Sequence, residues 1–95
     1  MINARITNNR AQILSLASQH GIKSMKIFGS MARGDANETS DADFLVEMEE
    51  GYDLFDLGSC LMGLQELLHC KVEMVTRAAL HPRIRENILK EAEPL

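Results

Sequence analysis

The sequence predicts a single α/β domain (α+β in the broader sense), in which a small sheet is flanked by about four helices. The chain has 95 residues, of which 45% are apolar. Because most domains need about 100 residues, one core fits this length and two do not. Segments with helical spacing of apolar residues alternate with short apolar segments typical of strands. This alternation favours the order α β α β α β α in one domain that spans residues 1–95.

The first half of the chain shows a helix, a strand and a tight turn in succession. Residues 3–20 place apolar side chains at helical steps, and Gly21 follows as a helix stop. Residues 22–28 then form a short apolar run typical of a strand. A Gly-Ser pair marks a turn, and residues 31–33 begin a short helix that Gly34 ends.

The second half repeats the alternation. The polar run at 35–40 has turn composition, and residues 43–48 form a strand that is apolar in its middle. A helix is predicted over 53–69, followed by a strand at 71–76 and a last helix that Pro82 opens. The apolar face of the helix over 53–69 consists of Leu54, Leu57, Leu61, Leu64 and Leu68. That of the last helix consists of Leu80, Ile84 and Ile88.

Charge and hydropathy exclude several classes of function. Ten basic and 14 acidic side chains give a net charge of −4, which disfavours non-specific binding to nucleic acid. No apolar run approaches the ~20 residues that cross a bilayer, and the first ten residues carry Asn3, Thr7, Asn8 and Asn9 in place of an apolar signal core. We therefore expect a soluble, cytoplasmic protein without direct contact to membrane or nucleic acid. Cys60 and Cys70 lack metal-ligand spacing and are interpreted as reduced structural thiols.

The turn after the first strand is the first candidate for chemistry. In the pair Gly29-Ser30, the glycine lets the backbone approach a ligand, and the helix start that follows offers N–H groups to an anion. A phosphate group suits such a turn. The alternative is a plain strand exit in which Ser30 caps the helix.

A pair of carboxylates forms the second candidate. Asp41 and Asp43 stand two residues apart at the start of a strand, so both project from the same face, about 7 Å apart. Magnesium prefers oxygen ligands of this kind, together with phosphate oxygens of a substrate. The alternative is that both aspartates are solvated turn residues.

Together, the two candidates resemble the minimal nucleotidyltransferase family, which shares its fold with DNA polymerase beta. The resemblance rests on Gly-Ser-Met-Ala-Arg-Gly-Asp at 29–35 and Ser-Asp-Ala-Asp-Phe-Leu-Val at 40–46. It extends to the predicted strand at 71–76 and the helix start at 80–84. It implies the nucleotidyltransferase fold, with a small mixed sheet and about four helices.

The resemblance also implies roles for individual residues. Gly29 and Ser30 would bind the phosphates of ATP, and Asp41 and Asp43 would bind Mg2+. A third carboxylate on a later strand completes the catalytic and metal-binding set and helps to activate the acceptor hydroxyl. Here that position falls on Glu73, where the family more often has aspartate.

The implied reaction is an in-line displacement at the α-phosphorus of ATP, in which pyrophosphate leaves. Two metal ions about 3.5–4 Å apart stabilise the attacking and leaving oxygens in such reactions. Arg33 is a candidate for an additional cation near the phosphates. The alternative for Arg33 is a surface ion pair with Asp35.

Short proteins of this family resemble the antitoxin half of prokaryotic two-gene systems, in which the partner is a HEPN-type ribonuclease toxin. The resemblance implies transfer of AMP from ATP-Mg to a hydroxyl of that toxin, most simply a tyrosine, which silences it. The alternative is an antitoxin that inhibits by binding and masking the toxin without catalysis. A third hypothesis, modification of a small molecule, is disfavoured because those enzymes generally carry an additional helical domain.

Overall fold

A computed structural model of the chain describes residues 2–37 and 39–95. Met1, and Glu38 of the turn predicted at 35–40, lie outside the described residues. The described elements are α1 (Ala4–Asn8), α2 (Arg10–Gln19), β1 (Ile22–Phe28), α3 (Ser30–Arg33), β2 (Ala42–Met48), α4 (Leu54–Leu68), β3 (Val72–Thr76), a 3-10 turn (Arg77–Ala79), α5 (Pro82–Glu91) and β4 (Glu93–Pro94). The predicted α/β class and the mixed sheet are confirmed.

The four strands form one sheet in the order β3-β2-β1-β4. β1 runs antiparallel to both β2 and β4, whereas β2 and β3 are parallel. A parallel pair requires a crossover connection, and α4 supplies it. Consequently the chain leaves β1 at the same end of the sheet at which it enters β2 and β3.

One face of the sheet carries the hydrophobic core. Phe44 and Ile27 are fully buried on this face, and α2 and α4 cover them with Ile13, Leu64 and other apolar side chains. Side chains alternate along a strand, so the residues between the core positions lie on the other face. The functional candidates on β2 and β3 are among those residues.

The predicted first helix is two helices in the structure. Asn9 interrupts it between α1 and α2, and the side chain of Asn3 caps the first turn by accepting from the Arg5 N–H. Asparagine favours such caps and breaks because its amide competes with the helix backbone for hydrogen bonds. The single helix predicted over 3–20 is therefore wrong in its continuity, although most of its residues are helical.

The leucine stripe on α4 is confirmed except at its first residue, since Leu57 and Leu61 are half-buried against the core. Leu64 and Leu68 are buried against the sheet, but Leu54 is 79% exposed at the start of the helix. The first turn of α4 also exposes Phe55, which is 86% accessible. This turn is held instead by a capping box, in which the side chains of Asp53 and Asp56 each accept a backbone N–H from the other residue.

Two short elements near the C-terminus were absent from the sequence prediction, namely the 3-10 turn and β4. The face predicted for α5 is also less buried than expected, because Ile84 is 50% exposed while Leu80 is buried. Among the described helices, none is both long and apolar enough to cross a membrane.

Candidate active site

Three strand ends bring the predicted carboxylates together. Phe28 at the end of β1 pairs with Asp43 on β2, and Asp43 pairs with Glu73 on β3. Residues that are paired across neighbouring strands project to the same face of a sheet. Asp43 and Glu73 therefore lie side by side on the face opposite the core. Asp41 is half-buried and comes directly before β2.

The electrostatics of Asp43 show how closely these acidic groups converge. Burial, followed by the charge of Glu73, a hydrogen bond with Glu73 and the charge of Asp41, raises the pKa of Asp43 to about 6. Arg33 acts in the opposite direction by favouring the carboxylate. All four side chains thus share one electrostatic environment, in which negative charge exceeds positive charge.

These residues fit a hard divalent cation that is shared with a nucleotide. Within residues 2–37 and 39–95, no three His, Cys, Asp or Glu side chains stand close enough to form a ready-made metal group. Asp43 and Glu73 nevertheless offer adjacent carboxylate oxygens whose mutual repulsion a cation would relieve. Magnesium is commonly bound by one or two carboxylates plus substrate phosphates, and this donor set meets that pattern.

The glycine of the Gly-Ser turn is required by its conformation and by its neighbour. Gly29 has φ +74° and ψ −157°, and a Cβ built on it would lie 2.4 Å from Oδ2 of Asp43. Only glycine tolerates both conditions. Because glycine has no side chain, the turn packs directly against the Asp43 carboxylate. Ser30 is the first residue of α3, and no side chain caps that helix. The alternative in which Ser30 serves as the cap is therefore wrong.

Arg33 pairs with two carboxylates. Its Nε lies 3.1 Å from Oδ2 of Asp35, and its Nη1 lies 2.6 Å from Oε1 of Glu91. The predicted ion pair with Asp35 is thus confirmed. Contact of Arg33 with phosphates remains a prediction.

Glu91 is a residue that sequence reasoning missed. Besides pairing with Arg33, it accepts a hydrogen bond from the backbone N–H of Gly29 through Oε2, at 3.0 Å. One signal could have indicated it. An acidic residue at the C-terminal end of a helix opposes the helix dipole, so Glu91 at the end of α5 requires a compensating partner elsewhere.

A groove of about 460 Å3 lies on the same face of the sheet as Asp43, further along the strands, and its lining contains none of the three carboxylates. Leu45 lies two residues beyond Asp43 on the same face and pairs with Lys26 of β1. Both residues line the groove, together with Arg77 and Leu89. A larger hollow of about 650 Å3 lies between α2 and α4, on the other side of the sheet. Of these two hollows, the groove is the one on the face of the sheet that carries Asp43 and Glu73.

The two cysteines are free thiols outside this site, as predicted. Cys60 is fully buried in the core, and burial raises its pKa to about 11. Cys70 is half-buried at the end of α4. Neither thiol carries a catalytic role in this arrangement.

Comparison with known proteins agrees with the geometry. Residues 10–95 match the model of the nucleotidyltransferase domain family. A relative from Methanocaldococcus jannaschii, provisionally designated a protein adenylyltransferase, is 40% identical over 87 residues, which cover 92% of this chain and 94% of the relative.

Two solved structures have a similar fold. A provisionally assigned minimal nucleotidyltransferase superposes with a TM-score of 0.86 at 42% identity, covering 100% of this chain and 97% of that chain. A toxin-antitoxin crystal structure with AMP-PNP superposes with a TM-score of 0.76 at 18% identity, covering 90% of this chain and 71% of that chain. At 18% identity, the second likeness establishes the fold alone.

Proposed function

This chain belongs to the nucleotidyltransferase domain family and is an enzyme of that kind, and from this premise we propose that it is an antitoxin that adenylylates its toxin. In the proposed reaction, AMP passes from ATP to a hydroxyl of a HEPN-type ribonuclease toxin, with tyrosine as the acceptor residue. The modification neutralises the toxin in the cytoplasm. The designation of the M. jannaschii relative supports protein adenylylation, and the structure with AMP-PNP is of a toxin-antitoxin.

The observation that carries this proposal is the contact between the Gly-Ser turn and the carboxylates. Gly29 packs against Asp43, and Glu73 is the next residue across the sheet. A phosphate chain held at the turn therefore lies beside the acidic groups that would hold Mg2+. When bound, magnesium offsets the negative charge of the triphosphate at the α-phosphorus.

The other residues of the site have separate roles in the proposed reaction. The turn at Gly29 and Ser30, with Arg33, binds and orients the phosphates. Glu73 is exposed beside Asp43 and accepts the proton of the acceptor hydroxyl. The hydroxyl oxygen then forms a bond to the α-phosphorus, and the bond between that phosphorus and the leaving pyrophosphate breaks.

The exposure of Glu73 supports a protein acceptor. Glu73 is exposed beside the half-buried Asp43, so a hydroxyl on the surface of a partner can reach it. The groove over Lys26 and Leu45 lies further along the same face of the sheet.

The decisive experiment is the intact mass of the toxin encoded by the adjacent gene after incubation with this protein, ATP and Mg2+. We expect a gain of one or more AMP units. The control is the double variant Asp41→Asn, Asp43→Asn, which removes two of the proposed metal-binding carboxylates and should leave the mass unchanged. An equal mass gain with the double variant would exclude Asp41 and Asp43 from catalysis and refute the assignment.

A second candidate is a masking antitoxin that has lost useful turnover. Glu73 favours it, because glutamate is one methylene longer than aspartate and displaces the carboxylate from the position that the family more often provides. Stoichiometry separates the two candidates. A catalytic antitoxin neutralises the toxin at substoichiometric amounts and requires ATP and Mg2+, whereas a masking antitoxin requires equimolar protein and neither of them.

A further inference from the structure

The carboxylate of Glu91 joins the C-terminal helix to two separate parts of the Gly-Ser turn. Oε2 accepts the backbone N–H of Gly29 at 3.0 Å, and Oε1 accepts from Nη1 of Arg33 at 2.6 Å. These contacts bridge 62 and 58 residues of sequence, respectively. The Glu91 side chain is 25% exposed, so its charge is partly shielded from water. Hydrogen bonds that involve a charged group are stronger than neutral ones, particularly when they are short.

The pairing of β4 with β1 brings Glu91 to the turn. Lys26 pairs with Pro94 and Ile27 with Glu93, and these antiparallel pairs hold the end of α5 beside the end of β1. Glu91 is the last residue of α5, and its side chain accepts the N–H of Gly29 just beyond the last backbone pair.

Glu91 and Asp43 meet Gly29 at different atoms. The backbone N–H of Gly29 donates to Glu91, whereas the Asp43 carboxylate lies next to the Cα of the same residue. Glu91 therefore supports the turn at a different atom from the one that lies beside the acidic groups.

Arg33 keeps free donors after both of its ion pairs are formed. A guanidinium has five N–H donors, of which Nε uses one for Asp35 and Nη1 uses one for Glu91, leaving three. Two carboxylates that bind two different nitrogens hold the guanidinium in one orientation. In agreement, Glu91 and Asp35 both raise the pKa of Arg33, and Arg33 lowers the pKa of Glu91.

We propose that Glu91 is a positioning residue for nucleotide binding, which holds the Gly29 backbone and the Arg33 guanidinium in the arrangement that receives the triphosphate of ATP. It does not touch the substrate itself. This inference rests on the proposed function. Pre-organised donors bind an anion more tightly than mobile ones, because less side-chain and backbone freedom is lost on binding.

The test compares Glu91→Ala and Glu91→Gln with the matched control Glu86→Gln. Glu86 lies on the same helix, is exposed and pairs only with Lys90 among the described ion pairs, so its substitution removes the same charge without touching the turn. ATP affinity in the presence of Mg2+ is measured by titration calorimetry. KM for ATP and kcat are measured with the toxin as acceptor, and the amide signal of Gly29 is followed by NMR.

We expect Glu91→Ala to raise both Kd and KM for ATP about tenfold, which corresponds to about 1.4 kcal/mol. The value of kcat should change less than about threefold, because the carboxylates at the reacting centre are untouched. Glu91→Gln should fall between Glu91→Ala and the wild type, since its amide oxygen still accepts the Gly29 N–H but carries no charge for Arg33. The Gly29 amide signal should shift in both Glu91 variants and remain unchanged in Glu86→Gln.

Each other outcome has a definite meaning. Wild-type affinity for ATP in Glu91→Ala would overturn the inference, and tighter binding would identify Glu91 as a competitor of the phosphates. If Glu91→Ala does not fold, the nearly isosteric Glu91→Gln decides by the same criteria. If the wild-type protein modifies the toxin and the Glu91 variants have the same KM for ATP as the wild type, only the role of Glu91 is refuted. A wild-type protein that neither binds ATP nor modifies the toxin refutes the proposed function and this inference with it.

Discussion

Replacement of Asp43 by asparagine should make the protein more stable at neutral pH while abolishing transfer of AMP. The pKa of Asp43 is raised from 3.8 to about 6, first by burial and then by the charge of Glu73. The folded protein therefore disfavours the charged form of a side chain that the unfolded chain ionises freely. Asparagine has nearly the same shape and removes that charge.

The magnitude follows from the displacement of the pKa. A difference of about two pH units corresponds to about 3 kcal/mol for a fully buried group. Because Asp43 is only partly buried, water screens its charge, and we expect a gain of about 1–2 kcal/mol. The wild type loses this amount as the pH rises from about 4 to about 6, since a raised carboxyl pKa destabilises the fold where the group is ionised. The gain of the variant should thus be complete above pH 7 and nearly absent at pH 4.

The assay is urea unfolding followed by circular dichroism in buffer with EDTA, at pH 7.5 and at pH 4. Glu66→Gln is a suitable control, because it removes one charge from an exposed position of α4. It should leave the free energy of unfolding within about 0.5 kcal/mol at both pH values. If Asp43→Asn is no more stable than the wild type at pH 7.5, or equally stabilised at pH 4, the electrostatic account of the site is wrong.

Three further predictions concern the turn, the core and the thiols. Gly29→Ala should lower ATP affinity in calorimetry and stability in urea by more than Gly51→Ala does; both positions have positive φ, but only at position 29 would the new methyl group meet a neighbouring atom. Leu64→Ala should lower the free energy of unfolding by about 2–5 kcal/mol, because it opens a cavity in the core. In labelling with a thiol reagent at pH 8, Cys70 should react well before Cys60, whose pKa is raised to about 11 by burial; equal rates under native conditions would contradict the structure.

The parts of the fold that the sequence predicted are those with a strong periodic pattern. β1, β2, β3 and α4 lie within about one residue of their predicted bounds, because each has a run of apolar residues with its own period. The short β4, Glu93–Pro94, has no such run and is held by pairing with β1. The break at Asn9 was missed because the apolar spacing continues across it, and a capping side chain leaves no mark on periodicity.

The placement of the candidate site residues could be predicted where neighbours in the sequence are also neighbours in space, and their roles stay predictions. The Gly-Ser turn and the aspartate pair are local motifs, and the strand register then brings Glu73 beside Asp43. Arg33 could be predicted as an ion-pair partner of Asp35, two residues away, but not of Glu91. The contact with Glu91 depends on how β4 aligns with β1, which only the assembled sheet determines.

The contacts of Glu91 also explain why α5 ends on an unfavourable charge. Glu91 is the last residue of α5, where its negative charge opposes the helix dipole. This placement by itself destabilises the helix by a few tenths of a kcal/mol to about 1 kcal/mol. Two hydrogen bonds to charged or strongly polarised donors offset this cost. A local violation of helix preferences is thus compensated at a distance, and the compensation falls on Gly29 and Arg33, the two turn residues proposed to meet the phosphates. Where a residue such as Glu91 departs from a local helix preference, its distant contacts therefore indicate the part of the molecule that its side chain stabilises.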